Sequence, residues 1–398
     1  VSAPDWVQLL RPTDLVVVAQ GTGEPTPLLE QLLEHGPEGA EVFVGLSHST
    51  ALLRPTRTTL LSFGALGPLG RPPLRGRVGV IPAHFDDLAR VLPCRGRDLV
   101  LLVQVGPADA AGTHGLGLAV DHTYELRDRA RLVIAEVNDQ LPDTTAPRLP
   151  ATGFAAAVPT SRVLPQIPAG LPGEVQQRIA NHVAGLVPDG ATLQLGISSV
   201  AAAIGAALHG RRDLGVRSTL AGDWLLGLAR AGALRPGAVT ISEAAGSAAL
   251  YDWVVQAGVD IRPVPDILAP AAAGTVDDFV AVNSALQVDL TGQVNAEQTP
   301  AGHVGAIGGQ AEYLRAAQRC PGGRSVIALP SVTSGGASRI VGRLHPGTVT
   351  TARSSVDFVV TEHGVADLRG RTVSERAALI VAVAAPGHRA ALREGTAA

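Results

Sequence analysis

The feature that most restricts what this chain can fold into is a series of short apolar runs separated by stretches with helical spacing. Leu15–Ala19, Leu99–Val105, Leu132–Val137, Leu193–Ile197, Val326–Leu329 and Phe358–Val360 are rich in Val, Ile and Leu and too short for helices. Such runs predict strands covered on both faces. Between them, Pro27–Glu34, Gln176–Leu186, Val200–Leu208 and Ser374–Ala384 carry helical patterns. This alternation predicts an α/β fold with largely parallel sheets flanked by helices. With 398 residues, 46% of them hydrophobic, the chain can bury a large core and has the length of two to three domains.

One stretch interrupts the alternation. Thr144–Gly173 is dense in proline and small residues, which is linker composition, and it predicts a boundary between a domain over residues 1–175 and another over 176–398. Strand, glycine turn and helix follow one another on both sides of it. Leu15–Ala19 runs into Gly21, Gly23 and Pro25, and Leu193–Leu195 runs into Gly196. The two halves look related in plan, although little sequence is shared between them.

Composition removes several kinds of chemistry. All 32 basic residues are arginine, so Schiff-base chemistry, pyridoxal phosphate attachment and a Walker-type phosphate loop are excluded. A net charge of −3 with scattered arginines argues against a nucleic-acid partner. Cys94 and Cys320 lie far apart without metal-ligand spacing, and no histidine pair has one, so neither a disulfide nor a metal is expected. No apolar run approaches a membrane span and the first residues do not read as a leader, so a soluble, cytoplasmic protein with no membrane partner is expected.

Several segments could carry chemistry. In Thr192–Leu208 a strand meets Gly196, then Ser198 and Ser199 at a helix start, where free amides and the helix dipole suit an anion such as a cofactor phosphate. The turn Gln20–Pro27 lacks dinucleotide spacing and reads as a tight structural turn. Gly305–Ala317 places glycines before a helix, fit either for close ligand approach or for close packing. Glu243 and Glu297 each end a strand-like run, where an α/β protein opens its clefts. Trp224, Tyr251 and Trp253 suit core packing or the wall of an acyl pocket.

Taken together, these segments resemble the acetyl-CoA hydrolase/transferase family, which includes class I 4-hydroxybutyrate and acetate CoA-transferases. The likeness is dense in Asn283–Glu297, Gly308–Ala317, Gly322–Ser331, Ser338–Val341, Val349–Gly370 and Ser374–Ala377, and extends upstream through Val105–Gly117, Ile134–Thr144 and Asp189–Ile197. It implies two NagB/RpiA-like α/β domains with the active site in the cleft between them. It also implies a small acyl-CoA as substrate, a carboxylic acid as acceptor, and a homodimer by analogy. The chemistry implied is covalent, a glutamate passing through an acyl anhydride and a glutamyl-CoA thioester. The family's coenzyme A contacts fall on Gln194, Leu195, Gly196, Ile197, Ser198, Leu286, Gly305, Gly309 and Arg324, the last standing where a lysine is common.

In one place the chain departs from the family pattern. In Asp213–Asp223 the register that usually holds the catalytic glutamate falls on Thr219. An alcohol without a base is a poor nucleophile. The chain is therefore expected to be a CoA-transferase or an acetyl-CoA hydrolase that takes its carboxylate from Glu243, or secondly from Glu297. The alternatives are a divergent acyl-CoA chemistry and a coenzyme A binder without turnover.

Overall fold

A computed structural model describes residues 4–272, 274–345 and 347–394. Two compact units make up the chain. One comprises the chain up to Gln166 with Ile241–Pro265 and Gly302–Gly308, and the other comprises Ile167–Thr240, Asp266–Ala301 and the chain from Gly309 onward. Instead of one boundary at residue 175, the first crossing falls at Gln166, and two later segments return to the first unit. Hydrogen bonds account for part of this: the Tyr251 hydroxyl donates to Pro165 O at 2.7 Å and Ala248 N–H donates to Gln166 Oε1 at 3.2 Å. The proline-rich stretch is not all linker either, because Ala156–Thr160 forms a strand.

The first unit is built on β1 (Asp14–Val18), β2 (Glu41–Val44), β3 (Thr59–Ser62), β4 (Gly79–Val80), β5 (Asp98–Val105), β6 (Leu132–Asn138) and β7 (Ala156–Thr160). They lie in the order β4-β3-β2-β1-β5-β6-β7, with every pairing parallel. A parallel sheet needs helical crossovers on its faces, which explains why β1 is buried along its whole length. Leu28, Leu29 and Leu32 of the helix Thr26–His35 cover one face beside Val16, Val18 and Val42. Each such side chain taken from water contributes about 1.5–3 kcal/mol.

The second unit repeats the plan. Its strands are β8 (Thr192–Gln194), β9 (Leu214–Ala221), β10 (Leu234–Ala244, whose last four residues belong to the first unit), β11 (Phe279–Asn283), β12 (Arg324–Ala328), β13 (Phe358–Thr361) and β14 (Gly364–Asp367). These seven, all but one edge strand of an eight-stranded sheet, run in the order β10-β9-β8-β11-β12-β13-β14, and β14 lies antiparallel to β13. In both units the first strand is internal, the next strands extend to one side and the later ones to the other. The strand order therefore reverses beside β1 in one unit and beside β8 in the other. At such a reversal the loops leaving the carboxyl ends of neighbouring strands part, and ligands enter there.

Candidate active-site residues

In the first unit the chain leaves β1 through Gln20 and the 3-10 turn Gly21–Gly23. Gly21 has φ +60°, a left-handed conformation that glycine adopts without strain, and its N–H donates to Leu46 O at 2.7 Å. Against this turn lies the end of β10. Val120 N–H donates to Ser242 O at 2.9 Å and Ala244 N–H to Leu118 O at 3.0 Å, so Ser242–Ala244 runs antiparallel to Leu118–Val120. This pairing presents Glu243 to the turn. Thr22 N–H donates to Glu243 Oε1 at 3.0 Å. A Cβ at residue 21 would stand 1.7 Å from Glu243 Oε1, so any side chain there displaces the carboxylate as well as straining the left-handed backbone.

Glu243 is 3% exposed. Burial pushes its carboxyl up to about 8, with the Thr22 N–H pulling it back, the nearby Asp121 charge adding to the rise and Gln20 opposing it. Asp121 itself is held in place by Gln20 N–H at 2.6 Å and by Thr123 N–H at 2.9 Å. A second buried carboxyl lies on the same loop. Glu24 accepts from the Thr26 hydroxyl at 2.9 Å and from His48 N–H at 3.2 Å, and burial raises it as well. The stretch expected to be a tight structural turn is thus also the seat of the leading carboxylate candidate. Sequence reasoning does not single out Gln20, Thr22 or Asp121 as site residues. The strand-and-glycine arrangement that singles out Gly196 also marks Gln20–Thr22, and Asp121 carries no such signal.

The matching turn of the second unit, Leu195–Ser198, is built differently. Ser198 caps the helix Ser199–Ala207, its hydroxyl accepting Ala201 N–H at 3.3 Å. Gly196 has open space where a Cβ would stand, with nothing within 4 Å, and Ser198 is exposed. Beneath the turn, Gln194 Oε1 accepts from Asn283 Nδ2 at 2.8 Å, the Ser218 hydroxyl donates to Leu195 O at 3.0 Å, and Trp224 Nε1 donates to Gly196 O at 2.8 Å. Trp224 therefore supports the turn from the core.

Thr219, next to Ser218, donates its N–H to the Tyr313 hydroxyl at 2.7 Å. The Tyr313 ring also comes within 3.1 Å of a Cβ built on Gly309, the residue before the helix Gln310–Ala317. Gln194, Leu195, Gly196, Thr219 and Gly309 are thereby gathered around one set of buried side chains in the second unit. Leu286, three residues beyond β11, donates its N–H to Asn295 O at 2.8 Å.

Three expected residues lie apart from that group. Arg324 opens β12 at the amino end, paired in register with Val280, and donates to Leu186 O at 2.8 Å, two residues past the helix Glu174–Ala184 and on the amino side of the strands, away from the Gly196 turn. Gly305 belongs to the first unit, its carbonyl accepting Ala65 N–H at 2.9 Å. Glu297 is buried in the second unit just past Asn295, whose Oδ1 takes its N–H at 3.0 Å. Among the described residues no group of three or more His, Cys, Asp or Glu is placed to hold a metal, and no helix is long and apolar enough to cross a membrane.

Comparison with known proteins gives this arrangement a family. Residues 246–396 match the acetyl-CoA hydrolase/transferase C-terminal domain. The chain is 32% identical to 4-hydroxybutyrate coenzyme A transferase of Clostridium kluyveri over 416 aligned positions, covering 98% of this chain and 96% of that one. Among solved structures, RipA from Yersinia pestis superposes with a TM-score of 0.90 at 27% identity, covering 100% of this chain and 96% of that one. The 4-hydroxybutyrate CoA-transferase of Porphyromonas gingivalis gives a TM-score of 0.79 at 29% identity, covering 98% and 95%. With similarity running through both units and nearly end to end, the chain belongs to the acetyl-CoA hydrolase/transferase family of CoA-transferase enzymes.

Proposed function

We propose that this protein transfers coenzyme A from a small acyl-CoA to a carboxylic acid, with Glu243 as the nucleophile. The observation that carries the reading is a buried carboxylate on the switch-point turn of the first unit, held by a peptide N–H. Thr219 receives no covalent role, since an unactivated alcohol attacks poorly and Glu243 supplies the missing acid.

The steps follow from carboxylate chemistry. An oxygen of ionised Glu243 attacks the thioester carbonyl, the C–S bond breaks, and coenzyme A leaves as thiolate with an acyl-glutamyl anhydride behind it. The thiolate then attacks the glutamyl carbonyl and expels the donor acid as a carboxylate, leaving a glutamyl-CoA thioester. An incoming carboxylate attacks that thioester and the same two steps run in reverse, so Glu243 ends as it began. A carboxyl raised to about 8 is about one-tenth ionised at pH 7, and the ionised fraction is more basic, hence more nucleophilic, than a solvated glutamate. Removal from water favours transfer over hydrolysis, because the intermediates are cleaved by any water that reaches them.

Coenzyme A binding is assigned to Gln194, Leu195, Gly196, Ile197 and Ser198, where the open turn leaves room for close approach, with Leu286 and Gly309 as further contacts, and Gly305, which belongs to the first unit, is not included. Arg324 is assigned a structural role in its place. A homodimer and a cytoplasmic setting complete the reading by resemblance to relatives.

The test is incubation with acetyl-, butyryl- and succinyl-CoA, with and without acetate, followed by intact-mass and peptide analysis. A coenzyme A adduct on Glu243 is expected, with exchange into the acceptor acid. Glu243→Gln should lower exchange at least about a thousandfold and abolish the adduct. Undiminished exchange in that variant, or an adduct on another residue, overturns the assignment.

A further inference from the structure

Thr22 stands between two glycines, and the turn's own bonds, Gly23 N–H to Gln20 O at 3.0 Å and Glu24 N–H to Gly21 O at 3.3 Å, hold the peptides on either side of it. A side chain from below adds a hold on the Thr22 carbonyl. Gln104, 1% exposed on β5, donates Nε2 to Thr22 O at 2.9 Å. Its Oε1 accepts from Asn138 Nδ2 at 2.9 Å and from Arg162 Nη2 at 2.9 Å. Two donors on Oε1 leave the amide only one orientation, with its own N–H groups toward the turn.

Arg162 is itself clamped. It makes a bidentate pair with the fully buried Glu136, Nε to Oε1 at 2.6 Å and Nη2 to Oε2 at 2.9 Å, and Nη2 also donates to Glu24 O at 2.7 Å. The Thr160 hydroxyl donates to Glu136 Oε1 at 2.7 Å, and Asn138 Oδ1 accepts Arg162 N–H at 3.1 Å. The network therefore grips the loop at two carbonyls, Thr22 and Glu24, and both grips pass through Arg162 or its partner Gln104. The two Nη2 hydrogens of Arg162 are shared among three acceptors, and a network so interlinked holds one geometry, because losing one member leaves another group unpaired.

We propose that Gln104, oriented by Arg162 and Asn138, is a positioning residue for the transfer reaction, aiming the Thr22 N–H at Glu243. It touches neither substrate nor Glu243. It acts through the turn: its hold on the Thr22 carbonyl restricts the backbone of Thr22, and with Gly21 O held by Glu24 N–H the Thr22 N–H that favours the ionised carboxylate stays in line with it. The inference rests on Glu243 being the nucleophile.

Gln104→Glu keeps the shape and replaces the donor with an acceptor facing Thr22 O, and Gln104→Met keeps the length and removes the donor without adding charge. Both are expected to lower kcat about tenfold or more, leave KM for acyl-CoA within about twofold, and move the acid limb of the kcat–pH profile to higher pH. A variant with unchanged melting temperature, kcat and pH limb overturns the proposal, as does a kcat loss whose acid limb stays in place. The adduct assay separates this from the underlying reading: an adduct on Glu243 in the unsubstituted enzyme together with an inert Gln104 defeats the positioning role alone. Turnover with no adduct on Glu243 defeats the nucleophile assignment whatever Gln104 does.

Discussion

The two switch-point turns occupy the same place in the same strand order and are finished in opposite ways. After β1, the Gly21–Gly23 turn is filled: a carboxylate from Ser242–Ala244 lies on it, and a single methyl at Gly21 would collide with that carboxylate. After β8, the Leu195–Ser198 turn is supported by Trp224 and Ser218 but has open space above Gly196. One scaffold position thus offers peptide donors twice. In the first unit one of them, the Thr22 N–H, is spent on the protein's own acid, whereas the second unit keeps open space at the matching glycine.

The comparison can be strained first through protonation. Because the folded state holds Glu243 at about 8 against an ordinary value of 4.5, the native protein binds the proton more tightly than the unfolded chain between those limits. Stability must then fall as pH rises through that window and level off above it, by on the order of a few kcal/mol for this group. Urea unfolding from pH 4.5 to 8.5 should show this slope, and Glu243→Gln should flatten it. Parallel pH dependence in the two proteins would contradict the buried, protonated carboxyl.

A smaller effect separates the two glycines. Gly21→Ala forces a methyl onto Glu243 and a left-handed φ onto alanine, with an expected loss of about 2–3 kcal/mol and most of the activity. Gly196→Ala meets no atom within 4 Å, and its stability should stay within about 0.5 kcal/mol while KM for acyl-CoA rises. Paired thermal melts and kinetics read both, and equal destabilisation at the two sites would erase the distinction. Smallest is Ser198→Ala, which removes a helix cap at a cost of about 1 kcal/mol. It should raise KM for acyl-CoA a few-fold without changing kcat, and an unchanged KM would take Ser198 out of the binding turn.

Much of the sheet was legible because parallel strands are covered on both faces and so appear as unbroken apolar runs. Leu15–Ala19, Leu99–Val105, Leu132–Val137, Val326–Leu329 and Phe358–Val360 all fall on strands, and Ser198 caps a helix as its position before Val200 suggests. Strands carrying polar residues escaped. β2 begins with Glu41, whose charge is met by Arg95 from 54 residues away, and of β10 only the buried end before Glu243 shows as a strand-like run, its opening residues being half-buried or exposed. Glu243 and Gly196 could be picked out because each stands where a strand-like run stops. Gln104 could not, since an amide inside the apolar run Leu99–Val105 gives no hint of what it meets.

By itself the sequence determined the α/β class and the family, because apolar periodicity and local motif spacing are written along the chain. Tertiary structure decided which acid is buried and which turn it fills. Glu243 and Thr22 are 221 residues apart, and Arg324 lies at the opposite end of its sheet from Gly196. Burial and hydrogen-bond partnership depend on what arrives from elsewhere in the chain, so the chemistry of each carboxylate is fixed only when the strands have paired.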